Sequence, residues 1–460
     1  MIRRLWLAMF LMVFAGAGLG LSEPSLAQTV DLGLIVVKSK QQAEQIRKDL
    51  VAGGSFEKLA REQSVGPAAF RGGRLGLIPL TKLRSEYRQA LAGLAEGQPS
   101  KVVPTEEGYT ILIRFGGAQV AAATPAPTAA KPSAQAKTSS PPSKTPVAVS
   151  PYLEARREVM AAAETMQAGD LAGAEKHLNK ALGENPREDS AVFLREIVSQ
   201  GLQGHYKKEA LKEFGKGFVA VTNLDMENAR AAFLSAKLAD PRLWQASLME
   251  ANLLAGQGYM DKAKKALEDI VAKHPQADRA FLTLGMMDLN AGKLQGAEEN
   301  LKKALKINPN LAQAAYQLAY VAMAKGDPVE TERYLKATLA IDPYLEDAYN
   351  DLGLVYMHKG DLDKSEAAFE KALELNASYA AAHVNLGNLY ARQKKFNQAA
   401  DEYKIAIMMQ PSLAQAHSNL AAAMYELKDY QGAIKEADKA ASLGYKVPLN
   451  LLGELQKHRR

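Results

Sequence analysis

The chain has 460 residues, 47% of them hydrophobic, with 57 basic against 51 acidic side chains and no cysteine. That length supports more than one core. A formal charge of +6 scattered among so many acids excludes the footprint of a nucleic-acid binder. Without cysteine, neither disulfides nor a lipid-modified cysteine is available.

In chain order, Arg3 and Arg4 precede an apolar run from Leu5 to Leu21, and Ser25, Leu26 and Ala27 give a small-x-small cleavage pattern. This reads as a secretory signal peptide over 1–27, leaving Gln28 as the mature N-terminus. The alternative is an uncleaved anchor. The run is short for a spanning helix, and Gly16, Gly18 and Gly20 weaken it. No later segment approaches the length of a membrane span. The expected location is therefore outside the cytoplasm, periplasmic or extracellular, with tethering to the membrane if the signal is retained.

Residues 28–115 form the next segment. Residues 32–37 make an unbroken apolar run, read as a buried strand, and 40–51 have helical periodicity with Ala43, Ile46 and Leu50 on one face. Ser55 N-caps a second helix over 56–61. A glycine-rich loop runs over 66–76, a third helix lies near 83–94, a short strand at 101–103 and a closing strand at 108–114. This order, with the phrases Ser55-Phe-Glu-Lys-Leu-Ala60, Gly72-Gly-Arg-Leu-Gly76 and Glu107-Gly-Tyr-Thr-Ile111, resembles the parvulin family of peptidyl-prolyl isomerases.

The resemblance implies a small α/β domain with a peptide cleft. It also implies two facing histidines and a loop cysteine or aspartate. The matching positions hold Leu34, Thr110 and, in the loop, Gly66, and all seven histidines of the chain lie at 177 or later. No catalytic residue can be assigned. Prolyl isomerisation needs little covalent chemistry, only a cleft that favours the twisted amide. A binding-only domain and a weak isomerase thus both stay open, with Leu83, Tyr87 and Leu91 lining a cleft for an extended apolar peptide.

Residues 116–150 are rich in Ala, Pro, Thr, Ser and Lys, carry no acid, and read as a disordered linker. Beyond it, Pro241, Pro275, Pro309, Pro343 and Pro411 fall on a ruler of 34 residues. That period marks a helix–turn–helix array in which each unit buries its apolar face against its neighbours. Small residues (Gly285, Gly353, Gly387; Ala297, Ala399, Ala433) recur where helices approach closely, and Leu301, Leu335, Phe369 and Tyr403 recur where a second helix fills the gap. Proline closes each unit because it cannot continue a helix. These residues and spacings resemble the tetratricopeptide repeat over 152–447, with six units in frame from Trp244. Ala377 and Tyr445 replace the terminal proline, and 55 residues separate Pro186 from Pro241. That gap is one repeat plus an extra helix-sized piece around 206–221. Residues 448–460 read as a capping helix.

In tetratricopeptide arrays the inner face is lined by the second, fifth, ninth and twelfth positions of each first helix. The resemblance places there Leu248, Asn252, Leu282, Met286, Tyr316, Tyr320, Met323, Asn350, Leu354, Met357, Val384, Asn388, Ser418 and Tyr425. Thioethers, aromatic rings and amides suit an extended peptide; packing between helices is the alternative for any one of them. His383 and His417, also 34 apart, are two copies of one packing position or a metal or pH site across repeats. The chain has no phosphate loop, no H-E-x-x-H and no G-x-S-x-G.

The expected architecture is multidomain: a signal peptide (1–27), a small α/β parvulin-like domain (28–115), a linker (116–150), an all-α tetratricopeptide-repeat solenoid (151–447) and a capping helix (448–460). The expected function is an exported protein-binding scaffold or chaperone-like assembly factor. Its partners would be polypeptide clients or components of an envelope assembly, without nucleic acid, integral membrane segment, metal or cofactor. The alternative is a parvulin-type peptidyl-prolyl cis-trans isomerase targeted by its repeats.

Overall fold

The computed structural model describes residues 29–66, 69, 72–80, 83–105, 108–117, 151–186 and 188–459. The segment read as a signal peptide and residues 118–150 of the linker lie outside the described residues.

The N-terminal domain is a four-stranded antiparallel sheet in the order β2-β1-β4-β3, with three helices. Strand β1 (Thr29–Val37) is central and buried on both faces, which is why it reads as an apolar run without alternation. It pairs with β4 (Gly108–Gly117), placing Leu34 opposite Leu112 and Val36 opposite Thr110. Helices α1 (Lys40–Val51) and α2 (Phe56–Gln63) start at Ser39 and Ser55, whose side chains accept from the amides of Gln42 and Lys58. Both helices cover one sheet face: Ala43, Ile46, Leu50, Phe56 and Ala60 pack on Ile35, Val37, Ile111 and Ile113. Each large apolar side chain so buried contributes about 1.5–3 kcal/mol.

Four boundaries differ from expectation. Strand β2 (Arg74–Pro79) forms inside what reads as the glycine-rich loop and pairs with β1, so a strand was missing from the expected order. Helix α3 is shorter (Ser85–Leu91), and β3 lies at Val103–Thr105. Strand β4 continues until Gly116 and Gly117 pair with Asp31 and Val30, so the sheet takes the first two residues assigned to the linker.

The helical region divides after Val355, and its parts are described in turn. The first part holds α4 (Pro151–Ala168), α5 (Leu171–Glu184), α6 (Asp189–Leu202), α7 (Lys208–Thr222), α8 (Met226–Ala239), α9 (Trp244–Gly256), α10 (Met260–Lys273), α11 (Asp278–Asn290), α12 (Leu294–Ile307), α13 (Ala312–Ala324), α14 (Pro328–Ile341) and the start of α15 (Glu346–Lys359). The second holds the rest of α15, then α16 (Leu362–Leu375), α17 (Ala380–Arg392), α18 (Phe396–Met409), α19 (Ala414–Glu426), α20 (Tyr430–Ser442) and α21 (Leu449–Gln456). In α21, Leu451 and Leu455 pack on Ala433, Ala437 and Ala440, closing the last apolar face.

One turn repeats through both parts. One or two residues after each first helix the backbone is left-handed, at Gly169, then 55 residues on at Leu224, and from there every 34 residues at Gly258, Gly292, Gly326, Gly360, Lys394 and Lys428. This conformation lets the chain reverse tightly. At Asp170, Asp225, Asp327 and Asp429 the next residue caps the second helix through its carboxylate. Two helices then approach closely enough that a Cβ on Gly285 would lie 2.6 Å from Leu301, and one on Gly387 2.5 Å from Tyr403.

Helix pairing corrects the reading of the 55-residue gap. The piece near 206–221 is α7, and it is no surplus: it packs along α8 as a first helix packs along its second. The surplus helix is α6, which ends at Leu202 and is followed by the same left-handed turn, at Gly204, but has no second helix of its own.

Candidate peptide-binding sites

On the sheet face opposite α1 and α2, alternation places Leu34, Val36, Thr110 and Leu112 together. Gly66 lies against them, since a Cβ there would meet Val36 at 2.5 Å and Leu34 at 3.1 Å. The three parvulin-site positions are thus gathered as the resemblance implies, but they form apolar packing. Leu34 and Thr110 are fully buried, and the Thr110 hydroxyl lies 3.4 Å from that of Thr105. Leu83, Tyr87 and Leu91, expected to line an open cleft, are core residues as well. A helical face that reads as apolar seals itself against the sheet. The depression in this region is lined by their neighbours Arg84 and Glu86, with Pro104 and Thr105.

The repeat face is also more closed than expected. Asn252, Met286, Tyr316 and Asn350 are buried, whereas Tyr320 is 38% and Met323 42% exposed. Leu354 and Met357 are half-buried. Asn388 is held by its neighbours, accepting from the Tyr403 hydroxyl and the Asn419 amide, both at 2.8 Å. Tyr425 donates to Glu454 of α21 at 3.2 Å and so belongs to the cap. Of the fourteen residues expected on the inner face, Tyr320 and Met323 present open surface, one turn apart on α13.

Tyr320 rests on a buried polar anchor that sequence reading missed. The Tyr316 ring meets it edge to face with centroids 5.1 Å apart, and the two hydroxyls are 3.2 Å apart. The Tyr316 hydroxyl donates to Asp351 Oδ2 at 2.8 Å. Burial pushes the Asp351 carboxyl up to about 6, with Asp347 adding repulsion and the Tyr316 hydrogen bond opposing. Burial, then the Asp351 charge, raises both tyrosines above their ordinary value, so they remain neutral donors. The sequence signal was available: Asp351 follows Asn350, and acids are rare on this face.

His383 and His417 do not join each other. Each bonds through Nδ1 to a glutamate 19 residues on in its own repeat, Glu402 at 2.7 Å and Glu436 at 2.6 Å. Each Nε2 faces a carbonyl of the preceding turn, Ala377 at 3.0 Å or Pro411 at 3.1 Å. Both ring nitrogens of each histidine thus face oxygen partners within its own repeat or the turn before it, as a packing position does.

Comparison with known proteins places both domains. Residues 36–115 match the family described as PPIC-type PPIASE domain, and 248–312, 282–346, 344–407 and 387–428 match tetratricopeptide repeats. The chain therefore carries an N-terminal PpiC-type parvulin domain followed by a tetratricopeptide-repeat array. Among curated relatives, the Chaperone SurA of Burkholderia thailandensis is 40% identical over 79 residues, 17% of this chain and 18% of that protein. The Foldase protein PrsA of a Geobacillus species is 39% identical over 79 residues, 17% of this chain and 29% of that protein. The match thus spans under a third of either relative. A crystal structure of MamA protein aligns with 36% of this chain and 91% of its own at 25% identity, with a TM-score of 0.34.

Proposed function

We propose that the protein is an exported, chaperone-like scaffold that holds polypeptides on its repeat array. The carrying observation is the Tyr320–Met323 surface of α13, an aromatic ring and a thioether left open and braced from below by Tyr316 and Asp351. A rigid aromatic on a fixed base holds a chain with little entropy loss. Support also comes from the chaperone and foldase relatives of the parvulin-type domain. Its sheet carries Leu34 and Thr110 where an isomerase would carry histidines, so binding is the reading favoured for that domain too.

The test uses the full chain and a labelled, permanently unfolded polypeptide. Tyr320→Ala should weaken binding by about 1–3 kcal/mol while the array stays folded, its stability lowered by about 0.5–1.5 kcal/mol for the lost ring contact with Tyr316. Equal affinity of variant and native chain would remove α13 as the site. Turnover of a proline test peptide at the rate of active parvulins would promote the isomerase instead, since the uncatalysed step takes tens of seconds or longer.

A further inference from the structure

Two turns of the second helical part carry side chains that their backbone does not favour. Five turns between a first and a second helix are held by glycine, but Lys394 and Lys428 take the same left-handed conformation, with φ of 61° and 65°. An L-residue is strained there and glycine is not. Strain kept at a fixed place points to a use for the side chain. Both lysines are exposed, as are Arg392 and Lys395 beside the first and Leu427 beside the second. Among the described residues, Lys394, Lys395 and Lys428 join no ion pair. Arg392 Nη1 donates to the Met357 carbonyl at 2.8 Å, which ties its turn to the neighbouring one at His358 and Lys359.

The charge is one-sided. The three turns at 358–361, 392–395 and 427–429 hold five lysines and arginines against two acids. Both acids serve their own helices: Asp361 pairs with Lys364 at 2.9 Å, and Asp429 accepts the Gly432 amide at 3.0 Å. The turns at the other ends of these helices, 376–378 and 410–412, hold no charged residue. Each basic cluster sits on its own exposed turn, so a small anion meets one turn at a time, whereas a sheet of anionic headgroups meets all three. Leu427, 37% exposed next to Lys428, favours a bilayer over an acidic polypeptide. A basic tip with an apolar side chain suits the boundary between headgroups and acyl chains.

We propose that this edge, with Arg392, Lys394, Lys395 and Lys428 at its tips, is a docking surface for an anionic membrane. The long basic side chains reach headgroup phosphates while the helices behind them stay in water. The attraction acts within a Debye length and weakens with salt. Docking through these turns engages none of the residues of the Tyr320 surface, so the two activities can be lost separately.

The probe is a vesicle of phosphatidylcholine and phosphatidylglycerol in equal parts; the control vesicle is phosphatidylcholine alone. The full chain is scored by its preference for the first over the second, so that the apolar run 5–21 counts alike on both. The native chain should prefer the anionic vesicles, and high salt should erase the preference. Lys394→Gly with Lys428→Gly should lower it about 25-fold, about fivefold for each lysine. The fold should stay intact, because glycine holds the same turn at Gly326 and Gly360. Lys265→Gln with Lys306→Gln removes equal charge from exposed positions on α10 and α12 and should leave the preference within about twofold of the native value. No preference in the native chain, an unaltered preference in the turn variant, or equal losses in the two double variants overturns the proposal. So does a chain that ignores the anionic vesicles but binds soluble polyglutamate through the same two lysines, since the partner of this edge is then an acidic polypeptide.

Discussion

Replacing Tyr316 by phenylalanine removes one hydroxyl and keeps the ring that supports Tyr320. Asp351 carries the consequence. Its carboxyl is shifted from 3.8 to about 6, chiefly by burial. A folded value above the unfolded one means stability is complete below about pH 4 and is lost as pH rises through about 6. At about 1.4 kcal/mol for each unit, the native chain loses about 3 kcal/mol over that window through this group. The Tyr316 hydrogen bond limits the loss by favouring the ionised form. Without it, the variant should be less stable than the native chain by about 1.5–3 kcal/mol at pH 8, where the bond is to a charge, and by about 1 kcal/mol at pH 5, where both partners are neutral. Urea titrations of the two proteins at the two pH values give the four midpoints needed. A deficit that is equal at both pH values, or larger at pH 5, would refute the placement of a buried, titrating carboxylate beneath Tyr320.

Lys394 and Lys428 hold the left-handed turn that glycine holds at Gly258, Gly292, Gly326 and Gly360. Lys394→Gly and Lys428→Gly should each stabilise by about 0.5–1 kcal/mol, the strain of an L-residue there less the extra chain entropy of glycine, seen as a rise in melting temperature; a fall would show that the lysine side chains hold those turns. Gly387→Ala should destabilise by about 1–3 kcal/mol, because its Cβ would enter the Tyr403 ring at 2.5 Å; unaltered melting would mean that α17 and α18 are less closely packed than described.

The array was legible because its period is written in residues with one physical role. Proline ends five units on one ruler, and small residues mark the close approaches, so a spacing of 34 needed no tertiary information. The surplus helix was misplaced because α6 and α7 are both amphipathic and both end in a left-handed turn, at Gly204 and Leu224; only the packing of α7 along α8 distinguishes the paired helix. Strand β2 was hidden by the glycines at 72, 73 and 76, which suit a loop as well as a strand that crosses close to Leu34. The site was least legible. Periodicity tells which side of a helix Asn252 and Met286 occupy, but not that Arg279 between them is held by Asp189, 90 residues away. Leu83, Tyr87 and Leu91 failed for a related reason: an apolar triplet on a short helix reads the same whether it lines a cleft or fills a core.

The second positions of four successive first helices are Gln245, Arg279, Gln313 and Asp347, neutral, positive, neutral and negative in order. A ladder whose rungs change sign has a direction. Arg279 is already balanced by Asp189, so the charge that acts along the ladder lies toward its Asp347 end. A base would be attracted there and an acid repelled, and the polarity of the ladder is set at one end rather than by alternation along it.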